Sequence, residues 1–149
     1  MGYIEELRAL VGHTPLILNS SGVIIYNRNK VLLSYRNDTR NWGLPGGYME
    51  RGETVEENLE RELIEEMGIT LKSPSLYRIF SGQDFYHEYP NGDKVYSVIM
   101  MYIASGYTGE IIVDNKEIKE AKYFDINQLP PQLTRTTKKI LTEYRKEII

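Results

Sequence analysis

The chain has 149 residues, 41% apolar and 26% charged, with acidic and basic side chains interspersed and a formal net charge of −3. That length suits a single domain over residues 1–149 that buries about 70% of its unfolded surface, and the charge balance argues against holding a nucleic-acid polymer, which takes a basic stripe. There is no cysteine for a disulfide or a thiolate metal site, and no apolar run approaches the roughly 20 residues that cross a bilayer, so a cytoplasmic protein with no membrane partner is expected.

From the start of the chain, Ile4 and Leu7, with Leu10 or Val11, oppose Glu5, Glu6 and Arg8, which predicts a short amphipathic helix over residues 3–10 ended by Gly12. It packs on the sheet or on a second subunit, and a homodimer is the assembly expected. His13, next to glycine and ahead of Pro15, reads as a loop residue. Two strands follow, Pro15 to Leu18 and Gly22 to Tyr26, joined at Asn19-Ser20-Ser21. Beyond the turn residues Asn27 to Lys30, the apolar run Val31 to Tyr35 reads as a strand buried on both faces.

Thr54 with Glu57 three residues on forms a capping box that starts a helix at Val55, and Gly68 ends it. Val55, Leu59, Leu63 and Met67 make the apolar stripe that packs on a sheet. At about 100° per residue, Glu62, Glu65 and Glu66 fall within roughly 100° of one another. Glu62 and Glu66 repel as an i,i+4 pair. Arg61 relieves part of that strain, and a hard divalent cation relieves more, since Mg²⁺ and Mn²⁺ prefer oxygen ligands. A solvated acidic face is the plainer alternative for any single helix.

After the helix, Thr70 to Pro74 reads as a loop and Leu76 to Ser81 as a strand. An aromatic stretch from Asp84 leads to the hairpin signal Asn91-Gly92, with a strand from Val95 to Ala104 beyond it. Phe85, Tyr86 and Tyr89 read first as half-buried strand residues, with base stacking as the alternative. His87 reads as an exposed strand histidine rather than an acid or base. Further strands are expected at Gly109 to Val113 and Ala121 to Phe124, around the acidic turn Asp114 to Glu120. A last helix runs from Arg135 to Ile148, burying Ile140, Leu141, Tyr144 and Ile148. This order of elements suggests an α/β fold with a mixed sheet between helical layers.

Gly47, five residues, Glu53, seven residues, then Arg61-Glu62-Leu63-Ile64-Glu65-Glu66-Met67-Gly68-Ile69 resembles the Nudix box at all nine of its defined positions. Trp42 to Gly47 is similar to the family's run into that loop. The resemblance implies the Nudix fold, an α/β/α sandwich with a central mixed sheet, and metal-dependent hydrolysis of a nucleoside diphosphate linked to another moiety. It implies a metal site at Glu62, Glu65, Glu66 and the Gly46 carbonyl, with Mg²⁺ as cofactor and Mn²⁺ as substitute. It also implies a packing role for Trp42.

Catalytic candidates on the same basis are Glu66, Glu53, Arg61 as the group that orients carboxylates, and Glu117 from the later loop, with Glu120 behind it. Arg36 is a candidate for substrate phosphate, in balance with a surface pair to Asp38. Tyr86 stands where some dinucleoside polyphosphate hydrolases carry a tyrosine. The partner is a small nucleotide, with dinucleoside polyphosphates, ADP-ribose-type nucleotides and oxidised nucleoside triphosphates all open. A non-catalytic nucleotide sensor is the alternative of another class.

Overall fold

In the computed structural model, which describes residues 2–148, helix α1 (Tyr3–Val11) precedes β1 (Leu16–Asn27), β2 (Lys30–Arg36), β3 (Asn41–Gly43) and β4 (Gly46–Tyr48). Helix α2 (Val55–Met67) follows, then β5 (Thr70–Leu71), β6 (Ser75–Phe80), a 3₁₀ turn at Gln83–Phe85, β7 (Tyr86–Glu88) and β8 (Lys94–Ala104). The chain ends with β9 (Tyr107–Thr108), β10 (Ile118–Asp125) and α3 (Arg135–Ile148).

The main sheet runs β10-β2-β1-β8-β6, with β3, β4 and β7 paired onto it. It is mixed: β1 lies parallel to β8, while β2, β4 and β6 join antiparallel. Alternation along the strands sends side chains to both faces. Val23, Ile25 and Leu32 pack with Leu59, Leu63 and Met67 of α2. Ile24, Val31 and Leu33 pack with Ile140, Leu141 and Tyr144 of α3 on the other face. The two long helices therefore clamp a sheet with apolar residues on both sides, as the Val31 to Tyr35 run implied. No helix among the described residues is long and apolar enough to cross a membrane.

Helix α2 starts and stops where its sequence dictates. Glu57 N–H donates to Thr54 Oγ1 at 3.1 Å, and Thr54 N–H donates to Glu57 Oε1 at 2.9 Å. Gly68 takes the left-handed conformation at φ 67°, ψ 26°. The Asn91-Gly92 turn also forms, with Gly92 at φ 94° and Tyr89 N–H on Asp93 O at 2.8 Å.

Other expectations are corrected. Asn19 to Ser21 do not separate two strands; β1 is continuous, because these residues lie between β8 and β4, and buried Ser21 has Asn58 as a side-chain partner. Thr70 and Leu71 pair with β9 instead of forming loop. Gly109 to Val113 is not a strand: Ile112 N–H bonds Met67 O and Asp114 N–H bonds Glu66 O, so this stretch is tied to the end of α2. Helix α1 forms but buries none of its residues, leaving Leu10 84% exposed. It is held by polar contacts: Tyr3 N–H on Glu50 Oε1 at 2.8 Å, Arg51 on Glu6, and Arg8 Nη2 on Lys94 O at 2.7 Å. Ile148 at the end of α3 is half exposed rather than buried, while Ile140, Leu141 and Tyr144 of the same helix are buried.

Candidate active site

Two glycines set how close α2 comes to the sheet. Gly46 and Gly47 pair with Gly22 and Ser21 of β1. Gly46 sits at φ 143°, where a Cβ would run into Ser21 O and lie 2.6 Å from Gly22 Cα. At Gly47 a Cβ would lie 2.6 Å from Glu62 Oε1. Main chain and carboxylate can therefore meet only because no side chain stands between them.

Glu62 and Glu66, one helical turn apart, face this glycine turn. Glu117 joins them from the loop ahead of β10, and one carboxylate oxygen from each lies within 4.8 Å of the others. The loop delivers Glu117 because Asp114 Oδ1 accepts the N–H groups of Lys116, Glu117 and Ile118 at 3.0–3.2 Å. Asn37 N–H then binds Glu117 O at 2.9 Å, fixing the loop to the end of β2. Glu120, its runner-up, pairs with Lys122 on β10 outside the cluster. Glu65 also stands apart: it is exposed, and Arg61 Nη1 holds it at 3.1 Å.

Arg61 is the junction of the site. It binds Glu53 through two nitrogens, Glu62 Oε1 at 3.1 Å and Tyr48 O at 3.2 Å, which fits an orienting role. Glu53 is occupied further by the Glu50 N–H at 2.7 Å, and its carboxyl is held below the usual range, chiefly by Arg61. Glu62 and Glu66 behave in the opposite way. Burial pushes both carboxyls up, Glu66 to about 8, with the charge of Glu62 adding to it and Arg36 opposing.

Glu66 is 3% exposed, and its Oε1 has no hydrogen-bond partner among the described residues. A buried oxygen of that kind is costly unless a partner arrives. Three hard oxygen donors, one of them orphaned, suit a divalent cation such as Mg²⁺ or Mn²⁺.

The raised Glu66 carboxyl has a consequence for stability. Its folded value of about 8 exceeds the ordinary glutamate value, so the folded protein binds the extra proton between them. Stability of the metal-free protein is therefore lost as pH rises through that window. Thermal unfolding in chelator should show the midpoint falling from about pH 5 to about pH 8, with a flatter profile in Glu66→Gln. An equal slope in the variant would separate Glu66 from the effect.

The carboxylates form one wall of a cavity of about 380 Å³, also lined by Arg36, Tyr48, His87, Tyr89, Ser97 and Arg135. Arg36 lines this cavity and holds Asp38 through two bonds at 3.1 and 3.0 Å, the ion pair weighed against a phosphate contact. Tyr86 is not on this wall. It packs on Tyr96 with centroids 4.9 Å apart, and strand alternation turns His87 inward in its place. His87 packs edge-on against Tyr89 at 4.4 Å, is half-buried, and has its pKa lowered by burial and by Arg36. Tyr89 and Ser97 each lie within hydrogen-bond distance of the Tyr48 hydroxyl, at 3.0 and 3.2 Å. Phe85 is core, and Trp42 packs between Tyr35 and Phe124, as the packing role implied.

Tyr48, Ser97 and Arg135 line the cavity without having been marked by the sequence. The only local signal was that Tyr48 directly follows the glycine pair.

A mixed sheet between two helices, with a carboxylate-bearing helix set under a glycine turn, defines an α/β/α sandwich with a candidate cation site. The NUDIX domain family model matches residues 17–144, and the chain belongs to that family. It is 36% identical over 126 residues to the ADP-ribose pyrophosphatase of Methanocaldococcus jannaschii, an alignment covering 83% of this chain and 70% of that protein. With the NAD-capped RNA hydrolase NudC of Vibrio cholerae it shares 32% identity over 127 residues, covering 84% of this chain but 44% of that longer protein. Among solved structures, the MutT NUDIX hydrolase from Burkholderia pseudomallei superposes with a TM-score of 0.71 at 28% identity, over 85% of this chain and 96% of that one. The chain is thus a Nudix hydrolase of the pyrophosphohydrolase kind.

Proposed function

We propose that this enzyme hydrolyses the phosphoanhydride of a nucleoside diphosphate linked to another moiety, with Glu62, Glu66, Glu117 and the Gly46 carbonyl holding Mg²⁺ or, in its place, Mn²⁺. The observation that carries this is the meeting of those three carboxylates, one with an orphaned oxygen, beneath the glycine turn. When bound, the cation supplies positive charge against the phosphate oxygens, whose repulsion otherwise keeps nucleophiles away.

The protein's own groups do the rest. Arg61 spaces Glu62 from Glu53 and Glu65 and so aims the cluster. Arg36, held by Asp38 through Nε and Nη2 at the end of β2, presents its remaining nitrogen to a phosphate oxygen. A water oriented by the carboxylates attacks phosphorus, the anhydride P–O bond breaks toward the departing phosphate, and a carboxylate takes the water's proton. Glu117 suits that last task better than its rivals. Both Glu53 oxygens are engaged by Arg61, and Glu66 is buried. Glu65, outside the trio, holds Arg61 from the solvent side.

The wall of Tyr48, His87 and Tyr89 receives the nucleoside or the linked moiety. Tyr89→Phe removes only a hydroxyl, so KM should rise about fivefold with kcat kept. Steady-state kinetics check this, and an unchanged KM would remove Tyr89 from recognition.

The substrate is tested with a panel of ADP-ribose, dinucleoside polyphosphates and oxidised nucleoside triphosphates in Mg²⁺, with and without chelator. The ADP-ribose pyrophosphatase relative makes ADP-ribose the first choice. Cation-dependent cleavage supports the proposal. Binding without cleavage of any of them supports a sensor instead.

A further inference from the structure

Helix α2 carries one polar residue deeper than any carboxylate of the site. Asn58 is 0% exposed, yet it sits one turn ahead of Glu62 and two ahead of Glu66, on the same face of the helix. The cation cluster itself does not include it, and a buried amide is retained only at a cost unless its bonds are made.

Its bonds run to two different elements. Ser21 Oγ, 2% exposed in β1, donates to Asn58 Oδ1. Asn58 Nδ2 donates to Tyr48 O at 2.9 Å, in the strand that carries Gly46 and Gly47. The Tyr48 carbonyl, which can only accept, fixes which end of the amide faces it, since a flipped amide would set oxygen against oxygen there, while the Ser21 hydroxyl turns to suit. Ser21 is also the residue paired with Gly47 across the β1–β4 ladder. Helix, central strand and glycine turn are thus tied at one buried point. Arg61 Nη2 reaches the same Tyr48 carbonyl at 3.2 Å from the next turn, so that carbonyl takes two donors from α2.

We propose that Asn58, held between the Ser21 hydroxyl and the Tyr48 carbonyl, is a positioning residue that sets the gap between α2 and the Gly46–Gly47 turn, and through it the spread of the Glu62 and Glu66 carboxylates. The tolerance is small, because the Glu62 carboxylate already lies where a Gly47 Cβ would be. An apolar side chain of similar volume fills the space but holds neither the hydroxyl nor the carbonyl, and α2 can then slide relative to the turn. This role rests on the hydrolase function proposed above.

The test is Asn58→Leu, with Ser21→Ala as the milder variant and Leu141→Ala, in the opposite core, as a stability control. Calorimetry with Mg²⁺ and Mn²⁺ alone measures cation affinity, thermal unfolding measures stability, and kinetics follow on the panel substrate that wild type cleaves. Asn58→Leu should weaken cation binding about tenfold and lower kcat while KM stays within about twofold. Ser21→Ala should shift the same way by less. Leu141→Ala should lower the midpoint without moving cation affinity, which separates positioning from general loss of stability. Wild-type cation affinity in both Asn58→Leu and Ser21→Ala would overturn the positioning role alone. A wild-type protein that takes up no cation would overturn both it and the hydrolase mechanism.

Discussion

Glu66→Gln lowers turnover by about a hundredfold or more with the fold kept, and Glu62→Gln does the same. Both carboxylates lie on the helical face that meets the glycine turn, and each offers an oxygen to the group completed by Glu117. An amide keeps the volume and loses the charge, so cation affinity and kcat should fall together. Glu65→Gln is the internal contrast. Its carboxylate is exposed and answers Arg61, so the expected loss is smaller, about tenfold. Calorimetry with Mg²⁺ beside steady-state kinetics ranks the three variants. Near wild-type rates in both Glu62→Gln and Glu66→Gln would move the chemistry elsewhere.

The second large effect falls on the glycines, and the two should fail differently. Gly46→Ala places a Cβ on Ser21 O at a φ of 143°, so the backbone of β1 or β4 must shift. Combined strain and clash should cost about 3 kcal/mol of stability or more. Urea unfolding measures it, and a native-like midpoint would show that the ladder yields there. Gly47 has no such backbone demand; its Cβ would meet the flexible Glu62 carboxylate instead. Gly47→Ala should therefore stay folded and lose cation affinity. The pair distinguishes a glycine needed for the fold from one needed for the site.

Much of the site was legible because its chemistry is local. Glu62, Glu65 and Glu66 share one helix whose limits are written in Thr54, Glu57 and Gly68, and helical periodicity turns their spacing into a direction. Capping geometry needs no distant partner, so it appeared as read. Periodicity puts Glu65 near the other two, but Arg61 draws it off toward solvent, and side-chain pairing of that kind is not encoded in spacing. In the aromatic stretch Asp84 to Tyr89, composition left half-buried strand residues and base stacking both open, without saying which alternate residues face the cavity. Pairing of Tyr86 with Tyr96 and of His87 with Val95 decided that.

By itself, then, the amino-acid order determined the family, the central helix, the glycine turn and most of the carboxylates, since each depends on neighbours a few positions away. Only the tertiary structure decided that Glu117 completes the cluster, that His87 and Tyr89 rather than Tyr86 line the cavity, and that Asn58 ties helix to strand. Those facts follow from sheet register, which brings Gly47 to Ser21 and Ile118 to Arg36 across long stretches of chain. Register is set by the fit of both apolar faces against α2 and α3, a property of the whole core that no short segment contains.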